Sequence, residues 1–137
     1  MNKVSKSLVG ILAALLVTAG CGGRKVHMTP ATSVPAAAGV AELSKDRNGN
    51  VIVDLKVRHL ARPENLTPPQ SVYIVWLQPR GGQVIKQGQL RVNDNLEGEF
   101  KAPAPAQNFD IFVTAESGPT VTQPTGPEVL RQTVTKS

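Results

Sequence analysis

The chain has 137 residues, 40% hydrophobic and 18% charged, with 12 Gly, 11 Pro, one Cys, two His and a formal net charge of +5. That length holds at most one domain plus its ends, and a single cysteine beside two histidines excludes an intramolecular disulfide and an all-protein Cys/His zinc site. The charged fraction lies below the roughly 25% usual in soluble domains while Gly and Pro are plentiful, which suits many turns better than long helices.

The first twenty residues divide into a basic start with Lys3 and Lys6, an apolar run from Leu8 to Val17, and the small-residue exit Thr18-Ala19-Gly20. This is the layout of a secretory signal peptide over 1–20. The run is about half of the ~20 residues a membrane-spanning helix needs. The sole cysteine follows at once, and Val17-Thr18-Ala19-Gly20-Cys21 resembles the lipobox of bacterial lipoproteins, with Thr18 where Leu is commonest. The resemblance implies a diacylglyceryl group and an N-acyl (palmitate-type) chain on Cys21, so lipidation at Cys21 is the one predicted modification site. Two or more chains suffice for a stable lipid anchor. Losing Lys3 and Lys6 with the signal lowers the net charge from +5 to +3. The remaining basic residues are scattered, without the aromatic-interleaved Lys/Arg run of a nucleic-acid binder.

Residues 21–38 are small, polar and punctuated by Pro30 and Pro35. Their composition predicts a tether, part flexible and part extended, lifting a domain at 39–137 off the bilayer; the lipobox resemblance implies that this tether is lipidated at Cys21. Gly39 to Ser44 and Val51 to Val57 then predict a hairpin across Lys45-Asp46-Arg47-Asn48-Gly49, with Val51, Val53, Leu55 and Val57 forming one apolar row. Arg62 to Gln70, with three prolines, has to be a loop or edge crossing. Ser71 to Gln78 is apolar on both faces and belongs in the middle of a sheet. The chain turns at Pro79-Arg80-Gly81-Gly82 and returns through Gln83 to Val92, with a bulge or close approach at Gly88. Further strands are predicted near Leu96–Lys101, at Asn108–Glu116 and at Glu128–Val134, the last two separated by an irregular Ser117–Pro127. No sustained helical period and no βαβ spacing occur after the signal. The expected fold is all-β: an antiparallel immunoglobulin-like β-sandwich of about seven short strands.

Three stretches in the second half share an order with a known family: Tyr73-Ile74-Val75-Trp76-Leu77 before a Pro/Gly turn, Gln87-Gly88-Gln89-Leu90, and Phe109 to Glu116 followed by Pro124-Thr125-Gly126-Pro127. Together they resemble the extracytoplasmic C-terminal domain of anti-sigma-K-type regulators over about Ser71 to Leu130. The resemblance implies a β-domain outside the cytoplasm. The sigma-binding domain and transmembrane helix that precede this region in that family have no counterpart here, so anti-sigma activity is not implied.

Side chains able to do chemistry are sparse. His59 follows a strand and reads as solvated or capping, and His27 as a solvated tether residue. Glu97 and Glu99, near Asp94, resemble a carboxylate pair but alternate with Leu96 and Phe100, as a solvated strand face does. Gly81-Gly82 lacks the helix and Lys-Ser/Thr of a phosphate loop, no Gly-x-Ser-x-Gly elbow occurs, and Asn65-Leu66-Thr67 fits a glycosylation sequon that a bacterial lipoprotein would not use. The reading is a membrane-anchored envelope lipoprotein facing the periplasm or cell exterior, non-enzymatic and without cofactor or metal. Its sandwich engages an unidentified envelope protein through sheet edges or the loops Arg62–Gln70 and Ser117–Pro127. The alternative is a carbohydrate-binding or hydrolytic accessory domain built on an exposed Trp76 or Tyr73 and the Glu97/Glu99 pair.

Overall fold

The computed structural model describes residues 23–136. The predicted signal segment 1–20, the lipobox and Cys21 lie outside the described residues. What is described is all-β and antiparallel: β1 (Arg24–Pro30), β2 (Ala38–Lys45), β3 (Val51–Arg58), β4 (Val72–Pro79), β5 (Ile85–Leu90), β6 (Gly98–Pro103), β7 (Phe109–Glu116) and β8 (Glu128–Val134), with one 3-10 turn at Pro63–Asn65. All eight join one sheet in the order β5-β4-β7-β8-β1-β2-β3-β6. The sheet curls until its two end strands approach each other, nearly closing a barrel.

The strand count and the continuity of the sheet correct the expectation of about seven strands in two sheets, and both corrections come from β1. It pairs with β2 from Arg24 to Met28, then with β8 at Thr29 and Pro30, bridging what would otherwise be separate halves. It also falls inside the stretch 21–38 read as a tether. Only Val26 and Met28 carry its inward period of two, and Arg24, Lys25, His27 and Pro30 mask them in any composition window. The rest of that stretch is tied down as well, with Val34 and Ala37 both 5% exposed in the core. Gly23 alone precedes β1 among the described residues.

The remaining strands form where their periodicity places them. Lys45 pairs with Val51 across the predicted hairpin, Gly49 takes φ +82°, and Asp46 closes the turn by accepting from the backbone N–H groups of Asn48 and Asn50 at 2.8 and 2.9 Å. Val53, Leu55 and Val57 point inward and Lys56 and Arg58 outward. β4, apolar on both faces, lies between β5 and β7. Tyr73, Val75 and Leu77 join the main core, while Ile74 and Trp76 enter a second cluster with Phe112 on the opposite face. The bulge expected around Gly88 is present as a register shift opposite Val75/Trp76. What approaches Gly88 is the Phe100 ring of β6, which would lie 3.0 Å from any Cβ there, and φ is +155°. This glycine lets the two end strands of the sheet come together.

Candidate functional site

The registers give the barrel two ends. At one end β4 starts, β7 finishes and the loop Ser117–Pro127 departs. Glu116 is fully buried there, and its carboxylate accepts four hydrogen bonds: from Thr114 Oγ1 (2.7 Å), Thr125 N (3.0 Å), Thr125 Oγ1 (2.6 Å) and Gly126 N (2.9 Å). Burial alone would raise its pKa. The bonds from Thr125, Thr114 and Gly126 outweigh that and hold the carboxyl below its ordinary value. Gly126 is required for the approach, since a Cβ would fall 1.7 Å from the Ala115 carbonyl oxygen. Thr114 Oγ1 also accepts from Trp76 Nε1 at 2.8 Å, so the indole, the hydroxyl and the carboxylate form one chain of bonds.

That chain fastens the irregular loop over the outer face of β4 and β7. Trp76 stacks on Phe112 at 6.5 Å between centroids, Val121 packs from the loop, and the Arg131 guanidinium lies 4.3 Å from the centre of the Phe112 ring. Lys86 Nζ donates to the Pro119 carbonyl. Beside this latch, Tyr73 Oη donates to the Ala61 carbonyl at 2.5 Å, and burial, with the Glu64 charge nearby, pushes the phenol up to about 12.

The other end gathers the start of β1, the β2–β3 turn, the start of β7 and the end of β8. It holds an open groove of about 460 Å³. Leu43, Val51, Phe109 and Val134 supply apolar walls, and Arg24, Lys45 and Lys136 are exposed around them. Among the described residues no carboxylate lines this groove. Its rim is ordered by the chain ends: Arg24 donates to the Thr135 carbonyl, and Asn108 accepts from Lys136 N at 2.7 Å through Oδ1 and from Arg80 N at 3.0 Å through its carbonyl. Arg80, exposed on the neighbouring turn, adds a further positive charge to this end.

The sequence-predicted groups fall differently. Trp76 and Tyr73 are both 0% exposed and offer no face to a sugar or peptide. Glu97 lies just before β6, where its carbonyl accepts from Asn93 N and its N–H donates to Asn93 Oδ1, and Glu99 is in β6 opposite Lys56; both are exposed and line one shallow recess with Lys56 and Arg58. His59 is exposed with φ 55° just after β3, and His27 is exposed on β1 rather than on a tether. Among the described residues, no three or more His, Cys, Asp and Glu side chains converge as metal ligands, and no helix is long and apolar enough to cross a membrane. Sequence reasoning missed the roles of Glu116 and of the groove. A lone Glu ending a run of β-formers, with Thr-Gly ten residues on, was the available signal for the first. The groove is made by four separate segments and had none. No family model, curated protein or solved structure matches the chain.

Proposed function

We propose that the protein is a bacterial envelope lipoprotein, anchored through acyl chains on Cys21, whose β-domain is a non-enzymatic interaction module outside the cytoplasm. The observation that carries this reading is the join between motif and fold. The lipobox-like Val17-Thr18-Ala19-Gly20-Cys21 is followed by only Gly22 and Gly23 before β1, so the motif sits where a lipid would hold the folded domain directly. The fold supports an immunoglobulin-like reading in its finer form: β2-β3-β6 and β5-β4-β7-β8 follow the strand orders of the two sheets of such sandwiches, with β1 added as a bridge. That reading is compatible with the anti-sigma-K-like resemblance, which also concerns location and fold alone.

For engaging a protein, the end strands β5 and β6 offer backbone where they approach without pairing to each other. β5 and β6 each have one ladder partner, and Ile85, the first residue of β5, is among the few large apolar side chains left exposed, at 40%. Strand edges of this kind accept an added strand from a partner. The carbohydrate-binding alternative loses its principal support because Trp76 is enclosed.

Intact-mass measurement of the protein purified from membranes tests the anchor. The expected species begins at Cys21 and carries a diacylglyceryl thioether, whereas a free thiol on Cys21 defeats the reading. Cross-linking in intact cells followed by purification tests the module: Ile85→Lys is expected to abolish the cross-linked partner while leaving the circular-dichroism spectrum unchanged.

A further inference from the structure

The groove between the chain ends has a specific position relative to the proposed anchor, on which this inference rests. Gly23 is one of its lining residues, and Cys21 is two peptide links away, so the Cα atoms of the two residues are at most about 7.6 Å apart. An acylated Cys21 therefore cannot hold the domain at a distance. Whatever the orientation of the rest, this end of the barrel stays at headgroup depth.

The chemistry of that end suits the position. Arg24, Lys45 and Lys136 stand around apolar walls without a carboxylate among the described lining residues; Arg80 lines the adjoining recess with Asp110, whose charge is paired with Arg131. The one carboxylate in the adjoining β2–β3 turn, Asp46, is engaged by three hydrogen bonds within its own turn. At the far end Glu64 and Asp94 are paired with Arg62, Glu128 with Arg131, and Glu97 lies beside Arg58 and Lys56, with Arg91 exposed nearby, so that the charges there largely balance around the enclosed Glu116. The molecule is thus polarised along its axis, positive where the anchor emerges and charge-balanced at the opposite pole. An anionic bilayer attracts the first more than the second.

We infer that this groove docks on the membrane that holds the protein, taking the headgroup of an anionic phospholipid between Arg24, Lys45 and Lys136 and setting the barrel upright with its Ser117–Pro127 end outward. The domain is then an oriented platform rather than a freely swinging one. Its latched loop and the charge-balanced pole face away from the bilayer, where a partner can reach them.

The test uses the full lipidated protein in vesicles of phosphatidylcholine alone or of equal parts phosphatidylcholine and phosphatidylglycerol. Because the chain has one cysteine and acylation blocks it, Ser44→Cys in the groove and Ser117→Cys at the far end each give one labelling site. Headgroup nitroxide lipids are expected to quench a fluorophore at 44 and not at 117, in the anionic vesicles and much less in the neutral ones. Each basic side chain beside an anionic surface strengthens association about five-fold, so replacing Lys45 and Lys136 by Gln lowers the docked-to-undocked ratio roughly 25-fold while the protein still floats with the vesicles. Equal quenching at both sites, or quenching at 44 that is indifferent to lipid charge, overturns the inference and leaves the anchor standing. Shielding at 44 that depends on protein concentration rather than lipid identifies a second copy as the occupant and also overturns it. Protein that fails to float, with a free thiol on Cys21, removes the anchor and the inference together.

Discussion

The two ends of the barrel spend their polar groups in opposite ways. At the Glu116 end a buried carboxylate gathers two hydroxyl and two backbone donors, the indole of Trp76 joins through Thr114, and an eleven-residue loop with no regular structure becomes the cover of a second apolar cluster. At the groove end Arg24, Lys45 and Lys136 surround apolar walls, and among the described residues no acidic group of the groove answers them. A charge completed inside the fold contributes rigidity, and one left uncompleted at the surface contributes attraction for something outside. The difference marks one end as architecture and the other as a place for a ligand.

Removing the architecture should be the most damaging change. Trp76→Ala empties the centre of the outer cluster and removes the indole N–H from which Thr114 Oγ1 accepts. A loss of about 3 to 5 kcal/mol is expected in denaturant unfolding followed by far-ultraviolet circular dichroism. A loss under about 1 kcal/mol would mean the loop cover adds little and the two ends differ less than their geometry implies. Glu116→Ala comes next. It leaves the buried Thr114 hydroxyl and the half-buried donors of Thr125 and Gly126 without their acceptor, for an expected cost of about 3 kcal/mol and faster amide exchange across 117–127. Its pH dependence has a fixed sign. The folded-state pKa is lowered, so the contribution is complete above the unfolded value of about 4.3 and is lost as pH falls through the lower folded value. Wild type should therefore lose more stability on acidification than Glu116→Ala does.

Tyr73 permits a subtler test at the same end. Its hydroxyl bond to Ala61 holds the segment leading to the 3-10 turn, and Tyr73→Phe should cost about 1 kcal/mol. Being the only tyrosine, it can be titrated by tyrosinate absorbance, with a midpoint expected near 12 in the folded protein. Here the folded value is raised, so the stability it brings is full below the unfolded pKa near 10 and disappears as pH climbs through about 12. A midpoint near 10 before unfolding would place the ring in water.

Period-two patterning made most of the fold legible. β3, β4, β7 and β8 lie where their apolar rows predict, and Gly88 announced the bulge. β1 was hidden because two inward side chains, Val26 and Met28, are too few to stand out among charged and Pro-flanked neighbours, although pairing on both sides makes the strand central. The continuous sheet was hidden with it. Trp76 and Tyr73 were correctly placed on a central strand. The outer face that encloses Trp76 is completed by a loop whose position depends on Glu116, a long-range contact no local window contains. The groove is assembled from β1, the β2–β3 turn, β7 and β8, so its charge became visible only once those segments met.

The smallest expected effect on folding falls at the end proposed to bind. Lys45 and Lys136 are exposed and make no side-chain ion pair among the described residues. Replacing both by Gln removes no buried contact and no internal salt bridge. Thermal unfolding should thus shift by no more than the equivalent of about 0.5 kcal/mol. If the midpoint instead rises, the two charges were repelling Arg24 and their neighbours in the folded state, a cost retained for a purpose other than folding. If it falls as far as for Tyr73→Phe, the groove rim is part of the structure, and the contrast between a closed end and an open one no longer holds.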